Sequence, residues 1–145
     1  MFLGQYQHTL DNKGRLTIPA RYRGLLNEGA YLTQGFDRNL RVLTVPSFRA
    51  IYERLSRMNI ADPTTRQLRR LIFSNASFVE LDRVGRILIP QFLRDIASLD
   101  SDAVIVGVGD SIEIWSPQYW DDQAKILHDA EENSKRYSSL DLSLG

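Results

Sequence analysis

The chain has no cysteine, which excludes disulfides and thiolate chemistry. It has two histidines, His8 and His128, too few with no cysteine to build an ordinary zinc site. No apolar run approaches the roughly 18 residues of a membrane span. The start, Met1-Phe2-Leu3-Gly4-Gln5, lacks the basic and apolar regions of a signal peptide, so a cytoplasmic protein is expected. Net charge is absent too: 18 Lys+Arg offset 18 Asp+Glu. Taken alone, that balance weighs against nucleic acid as a partner.

The distribution of charge reverses this impression. Residues 1 to 94 carry 15 Lys+Arg against 7 Asp+Glu, a balance of +8, and residues 95 to 145 carry 3 against 11, a balance of −8. Such a split points to a basic contact surface with an acidic segment elsewhere.

A repeat organises the chain. Residues 10 to 23 and 81 to 94 share Leu10/Leu81, Asp11/Asp82, Gly14/Gly85, Arg15/Arg86, Ile18/Ile89, Pro19/Pro90 and Arg23/Arg94, all at an offset of 71. Two copies are too few for a solenoid, and neither half is large enough for much core of its own. Two halves paired about an approximate two-fold axis are expected.

Gln5 to Leu10 and Arg15 to Ile18 have strand composition and flank Asp-Asn-Lys-Gly, which predicts a hairpin with its tip at residues 11 to 15. Gly14 suits a positive φ, and the Asp11 side chain can bond amides of the turn. Pro19 opens a short helix to Leu26, with Arg23 near its C-terminal end. A second hairpin is predicted over 30 to 44 and returns, at an offset of 72, over 104 to 115. The repeats thus span about 5 to 47 and 76 to 118, within one domain covering residues 1 to 145.

Between them lies a helical connector, 46 to 74. Pro46 starts a helix with Phe48, Ile51, Tyr52 and Leu55 on one face; Asp62-Pro63 caps a second, with Leu68, Leu71 and Ile72 beside a basic stripe of Arg66, Arg69 and Arg70. Ser116-Pro117 opens a C-terminal helix, 117 to 135, expected to bury Trp120, Ala124 and Leu127. The tail from Tyr137 to Gly145 is expected to fray or dock on a neighbour. The fold class is mainly β with helices: interleaved strands in a barrel-like sheet, the longer helices outside and both tips on one side.

No enzyme constellation is present. His8 is matched by Val79 in the second repeat, His128 sits in an acidic helix, and Gly107 and Gly109 lie within a strand pair where no phosphate loop forms. No cofactor, metal or small-molecule substrate is implied. The turns carry the chemistry instead: Lys13 and Arg15 in one tip, Arg83 and Arg86 in the other, with guanidinium groups suited to phosphate or to the O6/N7 edge of guanine. Asp11 and Asp82, with Gly14 and Gly85, would support the turns. The simpler alternative is that each Asp and Arg only closes its own hairpin. An exposed pair contributes little, so duplication and the extra cations favour binding. The Arg66, Arg69 and Arg70 stripe is either a phosphate surface, a solvated face, or a partner for Asp121, Asp122, Asp129, Glu131 and Glu132 of the same or an adjacent subunit.

The opening Met1-Phe2-Leu3-Gly4, the turns Asp-Asn-Lys-Gly-Arg and Asp-Arg-Val-Gly-Arg, Phe73-Ser74-Asn75-Ala76 and Ile112-Glu113-Ile114-Trp115 resemble the MraZ family of bacterial transcriptional regulators. Either turn alone resembles only the wider AbrB-like superfamily. The resemblance implies two AbrB-like swapped-hairpin halves interleaved into a pseudo-two-fold barrel. It implies a ring-shaped homo-oligomer and a nucleoid-associated repressor. The DNA partner it implies is a set of repeated short G-rich boxes upstream of the division and cell-wall gene cluster. Asp11 with Arg15, and Asp82 with Arg86, match the family's DNA-contacting motifs, and Lys13 matches the first motif's basic residue. Val84 replaces that lysine in the second tip, where Arg83 supplies the extra cation. An antitoxin-like, AbrB-like protein-interaction module without specific DNA readout is the alternative.

Overall fold

The computed structural model describes residues 1–142. Eight strands form: β1 (Gln5–Thr9), β2 (Arg15–Thr17), β3 (Ala30–Gln34), β4 (Leu40–Thr44), β5 (Ser77–Val79), β6 (Arg86–Leu88), β7 (Asp102–Gly107) and β8 (Ser111–Trp115). Six helices join them: α1 (Ala20–Arg23), α2 (Val45–Ser56), α3 (Pro63–Ser74), α4 (Gln91–Ile96), α5 (Pro117–Leu127) and α6 (Ala130–Arg136). A 3-10 turn, Gly24–Leu26, extends α1, in keeping with the short helix predicted from Pro19.

Six strands make one antiparallel sheet in the order β1-β7-β8-β4-β3-β5, and β2 pairs with β6 in a separate two-stranded ribbon. Exchanging the two halves of the chain, β1 for β5 and so on, reads the same order from the other end. An approximate two-fold axis therefore passes between β4 and β8 and through the β2–β6 ribbon. The halves interleave as expected, but the sheet stays open, with β1 and β5 at its edges. It is not a closed barrel.

The first hairpin also differs from expectation. The turn at 11 to 15 is tight, yet its two arms separate. Residues Gln5 to Thr9 pair with Val106 to Asp102 of the other half, and Arg15 to Thr17 pair with Leu88 to Arg86. Among the described residues, the ladder pairing between the arms is reduced to an isolated bridge, Leu10 to Leu16. A local turn cannot specify how far its arms continue together. Burial decides that, because Leu16, Ile18, Ile87 and Ile89 are at most 1% exposed only when the ribbon lies across the sheet.

The main core lies between ribbon and sheet. Leu16, Ile18, Ile87 and Ile89 meet Leu32, Leu40, Val42, Ile105, Ile112 and Ile114 from the sheet, with Tyr22 and Leu26 from the first half and Leu93 from α4. On the opposite face, α5 sets Trp120 against Val104, Val106 and Trp115. The other half of that face carries α2 and α3: Phe48 stacks on Tyr31 at 4.1 Å, and Thr33 Oγ1 donates to the Ile72 carbonyl at 2.6 Å. Thr44, Asp62 and Ser116 each cap their helix with a side-chain oxygen. In α2, Leu55 is buried, but Tyr52 remains 53% exposed.

The C-terminal helix breaks where the sequence predicts continuity. α5 ends at Leu127, His128 forms its C-cap, and Asp129 accepts from the Glu132 amide to start α6 afresh. Beyond Trp120 there is little to bury: Ala124 is half-buried, Leu127 is 46% exposed, and α6 buries nothing. Tyr137, Leu140 and Leu142 of the tail are exposed, and Leu144 lies outside the described residues.

Candidate nucleic-acid interface

Each tip is built by one aspartate. Asp11 Oδ1 accepts from the amides of Lys13 at 3.0 Å and Arg15 at 2.8 Å, and Oδ2 accepts from Arg15 Nε at 2.6 Å. Asp82 repeats the arrangement with the amides of Val84 at 3.0 Å and Arg86 at 2.9 Å, and with Arg86 Nε at 2.8 Å. The spacing of four residues is therefore required by the turn itself, since the carboxylate must reach two amides and the guanidinium together. Gly14 and Gly85 close the turns at φ +87° and +83°, where a Cβ would be strained.

Both carboxylates titrate below their ordinary value of 3.8, chiefly because the Arg15 and Arg86 amides bond the charged form. Partial desolvation opposes the shift, and the arginine side chains reinforce it. Nε is the atom of each guanidinium that meets its own aspartate, which leaves the terminal nitrogens outside that bond. Side-chain exposure is 36% for Arg15 and 30% for Arg86, so both remain reachable.

The two tips brace each other. Ile18 donates to the Gly85 carbonyl at 2.8 Å, and Ile89 donates to the Gly14 carbonyl at 2.9 Å. Arg86 Nη1 also lies 3.8 Å from Asp11 Oδ2, so one carboxylate faces both arginines. The ribbon places Arg15 opposite Leu88 and Thr17 opposite Arg86, which gathers both guanidinium groups on one surface. Lys13 and Arg83 are exposed on the turns beside them, and Val84, in the place matching Lys13, is 59% exposed.

Two functional supports escaped the sequence reading. Arg23 and Arg94 bond backbone carbonyls of their own halves, at Ile18 and Ile89, and then cross over. The Arg94 guanidinium lies over Gly14, where an added Cβ would come within 2.7 Å of Cζ, and Arg23 lies over Gly85 in the same way. Their signal was present as the seventh shared position of the repeat; its spacing from the tip hid the contact, which runs to the opposite half.

Among the described residues, no hydrogen bond or ion pair joins the Arg66, Arg69 and Arg70 stripe to this surface. Arg66 Nη1 donates to the carbonyls of Ile60 and Ala61, and Arg70 donates to Gln67. Among the described residues, no ion pair links the stripe to Asp121, Asp122, Asp129, Glu131 or Glu132. Nor do His, Asp and Glu gather into a metal-binding group among the described residues, and no helix there is long and apolar enough to cross a membrane.

Comparison with known proteins bears on the repeat and on the family. A family described as "MraZ protein, putative antitoxin-like" matches twice, over residues 1–71 and 72–141. The chain is 50% identical over 120 residues to "Transcriptional regulator MraZ" of Roseiflexus castenholzii, covering 83% of this chain and 84% of that protein. It is 46% identical over 127 residues to the Thermomicrobium roseum protein of the same name, covering 88% and 89%. With the Dictyoglomus turgidum protein, again of that name, identity is 42% over 143 residues, covering 97% and 98%. The double match, one per repeat, and relatives aligned along most of their length show that the chain belongs to the MraZ family.

Proposed function

We propose that this protein is a sequence-specific DNA-binding transcriptional regulator, not an enzyme, and that its two tips enter the major groove together. The observation that carries the proposal is the pair of braced Asp–Arg turns on one surface. With Nε held by Asp11 or Asp82, each arginine offers its end-on pair of nitrogens to guanine O6 and N7. Asp11, Asp82, Gly14 and Gly85 hold the turns, so little side-chain freedom is lost on contact. Lys13 and Arg83 neutralise phosphate and set the salt dependence.

Charge supports self-association. A surplus of cations in residues 1 to 94 and of anions in 95 to 145 favours contact between the first half of one subunit and the second half of another. Such a heterologous contact repeats until a ring closes. A ring presents several tip pairs, which favours repeated short G-rich boxes over a single palindrome by raising effective concentration. We place those boxes upstream of the division and cell-wall gene cluster, with repression as the outcome and the nucleoid as the location. Each subunit contributes both repeats as one DNA-binding domain.

The test is a gel-shift titration of the DNA upstream of the protein's own gene, in the presence of excess non-specific duplex. Arg15→Ala and Arg86→Ala should each weaken operator binding by about 1 to 3 kcal/mol, whereas Lys13→Ala should mainly reduce the salt slope. Operator affinity unchanged in both arginine variants would reject the mechanism. The antitoxin-like description of the family favours a second reading, in which the basic tips hold an acidic protein partner. Loss of specific binding under competitor DNA would support that one instead.

A further inference from the structure

We propose that Leu88 and Thr17 select thymine: each sets a methyl group beside one reading arginine and packs it on the C5-methyl of a thymine next to the guanine. The proposal rests on the DNA-binding function above and assigns to that surface residues which the Asp–Arg motif does not include.

The ribbon alternates cleanly. Leu16 and Ile87 face the core, while Arg15, Thr17, Arg86 and Leu88 face outward. Leu88 is 54% exposed between Ile87 at 1% and Ile89 at 0%, so its side chain contributes little to the core. It stands directly opposite Arg15 in the ladder, as Thr17 stands opposite Arg86. Cross-strand partners on one face keep their Cβ atoms about 4.5–5.5 Å apart, against about 3.4 Å between successive base pairs. A methyl carried by the partner therefore falls on the base pair read by the arginine or on its neighbour.

In the major groove, thymine is the base distinguished by a methyl, and an apolar side chain is what recognises it. The pattern occurs twice about the pseudo-two-fold axis, one methyl-bearing residue for each arginine. The copies are unequal: Leu88 offers an isobutyl group and Thr17 a single methyl with a hydroxyl. Selectivity for thymine should thus be stronger beside the guanine read by Arg15 than beside that read by Arg86. This inequality also gives a nearly symmetric protein a preferred direction on non-palindromic DNA.

The experiment is fluorescence-anisotropy titration of the full chain on its operator duplex, with each thymine replaced in turn by deoxyuridine, which removes only the methyl. At a thymine adjacent to a guanine, replacement should weaken binding about four-fold, the worth of one buried methyl. Leu88→Ala should bind the thymine and deoxyuridine duplexes alike at that position, with its non-specific affinity and circular dichroism unchanged. Thr17→Val should sharpen discrimination at the second site. Specific binding that is indifferent to every deoxyuridine replacement overturns the thymine assignment and leaves the DNA-binding function standing. So does a deoxyuridine effect that persists in Leu88→Ala and Thr17→Ala. Absence of specific binding to the unsubstituted operator overturns both.

Discussion

Alanine placed at Gly14, Gly85 and Gly24, one position at a time, should give three different results from one chemical change. Gly14 and Gly85 have φ near +85°, which costs an L-residue about 1–2 kcal/mol. At Gly14 the new Cβ would also lie 2.8 Å from the carbonyl oxygen of Ile89, a residue of the opposite half whose amide donates to the Gly14 carbonyl across the ribbon's base. Relief there requires the two tips to part, so about 1–3 kcal/mol of overpacking adds to the dihedral cost. At Gly85 the nearest atoms belong to the Arg23 side chain, which can swing away and forfeit its 2.9 Å bond to the Ile18 carbonyl, a loss of about 1 kcal/mol. Gly24 sits at φ −62°, ψ −31° with nothing within 4 Å of a new Cβ, so alanine there should stabilise by about 0.5–1 kcal/mol. Scanning calorimetry at one fixed protein concentration reads these as shifts of about 2–4 °C per kcal/mol in a chain of this size. The Tm order should be Gly24→Ala above wild type, then Gly85→Ala, then Gly14→Ala. Introducing Gly85→Ala into Arg23→Ala should leave only the dihedral cost. Equal destabilisation by all three, or no effect at Gly14, would refute the account of how the tips are held.

Further outcomes follow from single contacts. Leu16→Ala removes a side chain of zero exposure from beneath the ribbon and should destabilise by about 2–5 kcal/mol in urea titration, with operator binding lost in proportion to unfolding. Ser116→Ala removes the cap that accepts from the Tyr119 amide at 3.3 Å and should lower stability by about 1 kcal/mol, seen as earlier loss of the Trp120 fluorescence signal. Because Asp11 and Asp82 titrate below 3.8, their support of the tips is complete above that value and disappears as pH falls through the lowered pKa. NMR signals of Arg15 and Arg86 Nε–H should stay constant from pH 8 to 5; a midpoint near neutrality would contradict the bonding seen here. Deleting residues 129 to 145 removes α6, which buries nothing, so the shortened chain should keep its Tm within about 1 kcal/mol's equivalent. Analytical ultracentrifugation of the same truncation tests the acidic segment's place in the proposed assembly: an unchanged number of subunits per particle would exclude it.

Much was legible where the chemistry is local. The turns follow from Asp11, Gly14 and Arg15 and their copies, since one carboxylate, one positive φ and one guanidinium at this spacing satisfy each other within five residues. Helix starts at Asp62 and Ser116 are equally local, each oxygen meeting an amide two or three residues on, while the helix expected from Pro46 begins one residue earlier, capped by Thr44. The repeat further implied that two such tips belong together. What it could not supply was the partner of each strand, because Gln5 to Thr9 has no feature naming residues 102 to 106 as its neighbour. The break at His128 has a similar origin: intrinsic preference allows α5 to continue, but after the half-buried Ala124 the helix has little left to cover.

The sequence by itself thus determined the two Asp–Arg turns, the pairing of halves and the charge split, since all depend on neighbouring residues or on duplication. Tertiary structure alone decided that the arms of each tip part company, that the sheet remains open, and that Arg23 and Arg94 cross to hold the opposite tip. Those outcomes depend on which apolar faces can be buried together. That is a property of the whole core, and it turns two exposed loops into one braced surface.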